Sequence, residues 1–78
     1  MKKVLLHFGD GEFEEGFLIE IPDSVRKSDI NVIVKDVRQG KVGKYNLPED
    51  WSYDEVIDVI LKEVNGERVD VEYWDFHL

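Results

Sequence analysis

Eighteen carboxylates, two histidines, three serines and no cysteine are what this chain offers to acid–base, nucleophilic or metal chemistry. Serine catalysis needs a hydroxyl beside an oriented histidine. Ser52 is placed to cap a helix, Ser24 and Ser28 fall in a polar connection, and neither His7 nor His77 lies near them in sequence. Asp54, Glu55 and Asp58 would suit acid–base work, but they occupy the first turn and outer face of an expected helix. There the macrodipole alone favours acids. The run Gly9-Asp10-Gly11-Glu12-Phe13-Glu14 approaches a calcium loop, yet Glu15 stands where such a loop needs glycine and Ile21 where it needs glutamate. His7 and His77 would meet beside Asp75 only on neighbouring strands, and they lack ligand spacing. Gly9, Gly11 and Gly16 belong to a hairpin rather than to a strand-to-helix turn with its lysine, so no phosphate cradle is expected. The expectation is a non-enzyme without metal or cofactor.

The carboxylates gain meaning from their distribution. Residues 1–48 hold eight acids and eight bases, whereas residues 49–78 hold ten acids against Lys62 and Arg68, which accounts for the whole net charge of −8. Trp51, Tyr53, Tyr73 and Trp74 lie among those acids. Aromatic anchors within a charged rim are typical of interface hot spots. Asp50, Trp51, Asp54, Glu55, Asp58, Glu72, Trp74 and Asp75 are therefore the candidate partner-binding residues. Their expected target is a basic protein, such as a nucleic-acid-binding protein whose phosphate sites the carboxylates would occupy. Such a chain would be a competitive inhibitor of the anti-CRISPR or nucleic-acid-mimic kind. A solvated acidic face and a core role for some aromatics are equally compatible with the sequence. Residues 26–44 lean the other way, with six bases against Asp29 and Asp36. Direct nucleic-acid binding is nonetheless disfavoured, because the acidic third would oppose phosphates. Anionic membranes are disfavoured for the same reason.

A chain of 78 residues makes one small domain, burying only about 60% of its unfolded surface. No apolar run approaches the ~20 residues of a membrane span, and no signal peptide precedes the first strand-like segment. A cytoplasmic location is the corresponding expectation.

The elements that must position these residues are then read from periodicity. Lys3–Phe8 and Glu12–Ile21 form an expected hairpin around Gly9-Asp10-Gly11, with a β-bulge at Glu15-Gly16 where the alternation breaks. A second hairpin is expected from Ile30 to Leu47 around Gln39-Gly40, pairing Val37 with Val42, Val34 with Tyr45 and Val32 with Leu47. Ser52 and Glu55 form a capping box, Trp51 and Val56 a hydrophobic staple, and Tyr53, Val56, Ile57, Ile60, Leu61 and Val64 a helical stripe. Asp58 and Lys62 are spaced as an i,i+4 pair, and Asn65-Gly66 stops the helix with glycine in the left-handed position. A last strand is expected over Glu67–His77, with a phase slip at Tyr73-Trp74. The class is α+β in the order ββββαβ, the helix lying on the sheet.

The stretch Val4–Ile21 also resembles the opening strands of a segment at the start of bacterial proteins that carry caspase-like CHAT domains or STAND-type NTPase modules. The resemblance rests on the apolar first strand, Gly11-Glu12-Phe13-Glu14, Gly16-Phe17 and Ile21, with Gly43-Lys44 and Leu47-Pro48 similar to the later part. It implies an accessory, non-catalytic adaptor in a bacterial conflict or signalling assembly, binding through an edge strand or its Phe13/Phe17 face. No catalytic residue is implied.

Overall fold

Alternating side chains make residues 2–9 and 14–21 a two-stranded ribbon with one apolar face. The structure, a computed structural model, describes residues 1–78 except Asp10, Phe13 and Tyr73. Strand β1 (Lys2–Gly9) pairs antiparallel with β2 (Glu14–Ile21). Val4 lies opposite Ile19 and Leu6 opposite Phe17 on the inner face, while Leu5 opposes Leu18 on the outer one. Eight consecutive pairs run unbroken from Lys2 with Ile21 to Gly9 with Glu14. The expected bulge at Glu15-Gly16 is therefore absent. Glu15 sits opposite Phe8 at the hairpin end, where its carboxylate is exposed to water without a shift in register. Gly11 takes a positive φ of 96° in the turn, and the expected roles of Asp10 and Phe13 fall outside the described residues.

The second expected hairpin is replaced by a helix. Helix α1 (Lys27–Arg38) buries Ile30, Ile33 and Val37 and half-buries Val34. That i, i+3, i+4, i+7 stripe outweighs the strand-like alternation of Ile30, Val32 and Val34, and Val32 is left 59% exposed. The Arg26 amide donates to Asp29 Oδ2 at 2.8 Å, capping the first turn. Gly40, at a φ of 77°, turns the chain out of the helix rather than forming a hairpin loop. A 3₁₀ turn over Gly43–Tyr45 follows, and the Tyr45 hydroxyl donates to Asp36 Oδ2 at 2.6 Å. Lys44 Nζ meets the same oxygen at 2.8 Å, so two donors on the turn fasten it to α1.

Helix α2 (Tyr53–Val64) lies where the apolar stripe predicts. Glu55 N–H donates to Ser52 Oγ at 3.4 Å and the Ser52 amide to Glu55 Oε1 at 3.2 Å, completing the capping box. Its left-handed terminal residue is Asn65, at a φ of 58°, rather than the expected Gly66. Gly66 meets a different constraint, since a Cβ there would fall 2.8 Å from Ile21 Cγ2 and 3.0 Å from the Glu20 carbonyl.

Strand β3 (Glu67–Arg68) pairs antiparallel with β2, giving the sheet order β1-β2-β3 and the element order ββααβ. The final strand is thus two residues long, with one further bond from the Val69 amide to the Leu18 carbonyl at 3.0 Å. The register gives the reason. Arg68 opposes Ile19, so extending β3 would set Asp70 across from Phe17 on the inner face and Glu72 across from the like-charged Glu15. Val69 and Val71 would face outward. The alternation is out of phase with the core, and pairing stops. The fold is α+β, with two helices on one face of a three-stranded sheet. Ile19, Ile21, Ile57 and Ile60 lie at its centre, each with at most 2% exposure.

Candidate functional site

The eight candidate residues fall into two groups. Asp50, Trp51, Asp54, Glu55 and Asp58 occupy the entrance and first turns of α2, whereas Glu72, Trp74 and Asp75 lie in the segment beyond β3. Among the described residues, no hydrogen bond or ion pair joins the second group to α2.

The first group is largely engaged within the fold. Trp51 is half-buried against the core, its ring 6.3 Å from that of Tyr53, which in turn lies 5.6 Å from Phe8. Glu55 is held in the capping box. Asp54 and Asp58 share Arg68, which sequence reasoning did not single out. Its Nη1 donates to Asp54 Oδ1 at 3.0 Å, its Nη2 to Asp58 Oδ1 at 3.0 Å and to the Asp54 carbonyl at 2.9 Å. The guanidinium carbon also lies 5.7 Å from the centre of the Phe17 ring. Hydrogen bonding to Asp58, and then to Asp54, raises the Arg68 pKa above its ordinary value. Arg68 projects from β3 to the inner side, where α2 presents one carboxylate per turn, so register and helical spacing together build this clamp. Asp58 is thereby drawn to Arg68 instead of the expected i,i+4 partner Lys62. Asp50 remains exposed in the loop before the helix.

The second group is open to water. Trp74 is 70% exposed and its Nε1 donates to Glu72 Oε2 at 2.9 Å. Asp75 lies 3.2 Å from His77 Nε2. Val71, Phe76 and Leu78 are also largely exposed. Among the described residues, four of the seven exposed large apolar side chains thus belong to segment 69–78, interleaved with Asp70, Glu72 and Asp75. The expected role of Tyr73 falls outside the described residues.

His7 and His77 are not brought together, because β2 separates β1 from β3 and His7 instead faces Glu14 at 3.6 Å. No group of three or more metal-capable side chains gathers among the described residues. No helix among them is long and apolar enough to cross a membrane.

The basic stretch has a place of its own. Lys2, Arg26, Lys27 and Arg38 border a trough of about 540 Å³ beside β1 and α1. Arg26 and Lys27 are legible in the sequence only as part of a basic run, because they fall in the polar connection ahead of the expected hairpin. Phe17, half of the expected Phe13/Phe17 face, is half-buried with its ring 6.0 Å from Phe8. No family model, curated protein or solved structure matches this chain.

Proposed function

We propose that this chain is a non-enzymatic protein-interaction module that docks its acidic, aromatic-bearing C-terminal third on a basic protein. The observation that carries the reading is the segment after β3, where Trp74 and Phe76 stand 70% and 75% exposed among Asp70, Glu72 and Asp75. Large aromatic surfaces left in water are ready to be covered, and burying each would contribute about 1.5–3 kcal/mol at a contact. The carboxylates select a basic partner and speed encounter. Asp50 stands apart as an exposed carboxylate before α2, while Asp54 and Asp58 act through Arg68 and contribute less because their charge is already shared.

The competitive form of this function is mimicry, in which carboxylates occupy phosphate positions on a cytoplasmic nucleic-acid-binding protein, as in an anti-CRISPR type of inhibitor. The free edge of β1 favours a second reading, an accessory or adaptor domain of a bacterial conflict assembly that binds by strand addition.

Capture of partners from an extract on the immobilised chain, followed by elution with salt, tests the first reading. E72K/D75K and W74A/F76A should each abolish capture of a basic protein, and excess nucleic acid should compete with it. Capture unchanged by both variants would refute the assignment to this segment.

A further inference from the structure

The trough beside β1 is lined by residues from both faces of that strand, Val4 and Leu6 from the inner face and Leu5 and His7 from the outer one. It therefore wraps the unpaired edge of the sheet, where half of the β1 backbone groups await partners. Its floor is apolar, from Val4, Leu6, Val25, Ile30 and Val34. Its charged border is wholly basic, formed by Lys2, Arg26, Lys27 and Arg38.

The chain itself carries a segment of matching chemistry. In an extended strand, Trp74, Phe76 and Leu78 point to one face and Asp75 to the other. We propose that residues 74–78 of a second copy add as a strand to the β1 edge, setting Trp74, Phe76 and Leu78 on the trough floor, with Glu72, just ahead of the strand, at the basic border and Asp75 on the outer face. This rests on the reading of segment 69–78 as a docking element and names a partner for it. Charge complementarity selects the occupant, since the border carries Lys2, Arg26, Lys27 and Arg38 while the segment carries Asp70, Glu72 and Asp75. Topology favours a second copy, because β3 leads into the segment on the sheet edge opposite to β1. Two copies exchanging segments reciprocally close a dimer with both β1 edges covered.

Sedimentation of the full chain over a micromolar-to-millimolar range tests this. The wild type should form dimers as concentration rises, and W74A/F76A should weaken association by at least about 10-fold. K27E/R38E and E72K/D75K should each be monomeric alone, because like charges then meet at the border. Mixed together they should form a heterodimer, since each segment meets an opposite border. Circular dichroism confirms that these surface variants fold. A wild type that stays monomeric, a dimer indifferent to W74A/F76A, or a mixture that fails to associate would overturn the proposal. So would protection of Trp74 from a soluble quencher that is independent of concentration, which would mean that the chain covers its own trough. Failure here is separable from failure of the docking reading. A monomeric wild type that still loses a basic partner on W74A/F76A sinks only the second-copy occupant.

Discussion

A methyl group at Gly66 would sit 2.8 Å from Ile21 Cγ2 and 3.0 Å from Leu61 Cδ2, both parts of the closed core. Gly66→Ala should therefore lower stability by about 1–3 kcal/mol, read from urea denaturation. Its neighbour Asn65 holds the left-handed conformation, so Asn65→Gly should stay within about 0.5 kcal/mol of the wild type. Equal effects at the two positions would show that the close approach to β2 is not what constrains Gly66. Asp36 supports a pH prediction. Hydrogen bonds from Lys44 and then Tyr45 hold its carboxyl below the usual value. Its contribution is thus present above the unfolded value near about 3.9 and is lost as pH falls through the lowered one. Lys44 is raised, chiefly by its bond to Asp36, and Tyr45 is raised by burial and then by Asp36. Their contributions are full below their unfolded values near about 10 and fade as pH rises through the raised ones. Asp36→Asn should lower the urea midpoint at neutral pH, and its difference from the wild type should shrink below about pH 4. A difference constant across that range would remove the carboxylate from this role.

At the scale of elements, α1 makes the most discriminating case. Val32 is exposed on the helix, so Val32→Ala should raise stability by about 0.5 kcal/mol through helix propensity. In a hairpin strand the same change would lower it, since β-branched residues favour the pleat. The sign of the shift in urea midpoint decides. This segment also shows where the sequence was legible and where it was not. The first hairpin and α2 each carry one dominant period, broken only at Glu15 and misplaced by one residue at the helix end, where Asn65 rather than Gly66 is left-handed. Residues 30–37 carried two, because Ile30, Val32 and Val34 alternate while Ile30, Ile33, Val34 and Val37 recur at helical spacing. Asp29, bonded to the Arg26 amide, was the signal that would have chosen the helix. The last strand is illegible in the sequence for a different reason. Its alternation is real, but only the register of Arg68 against Ile19 reveals that the polar set would face the core. The same register makes Arg68 the counterion of Asp54 and Asp58, a pairing across 14 and 10 residues that no local pattern announces.

Taken as a whole, the molecule separates its buried core from an exposed, aromatic-bearing segment along its chain. The buried core runs from Ile19 to Leu61, and the described residues beyond Val69 are all exposed. The acidic third is therefore divided, since α2 belongs to the core and carries acids on its outer turns, while the segment after Val69 contributes aromatic surface without packing. A chain ending at Val69 keeps Arg68, its two carboxylates and the bond to Leu18, and loses Trp74, Phe76, Glu72 and Asp75. Its unfolding free energy should stay within about 0.5 kcal/mol of the full chain, as expected where no buried contact is removed. Capture of a basic partner should nevertheless vanish with the segment. Denaturation and capture measured on the same two chains decide the matter. A stability loss above about 2 kcal/mol would mean that the segment packs on the domain and that its aromatics serve the fold. Unchanged stability with capture intact would move the docking surface back to Asp50 and the α2 entrance. Only unchanged stability with lost capture fits a small domain that holds its docking element outside its core.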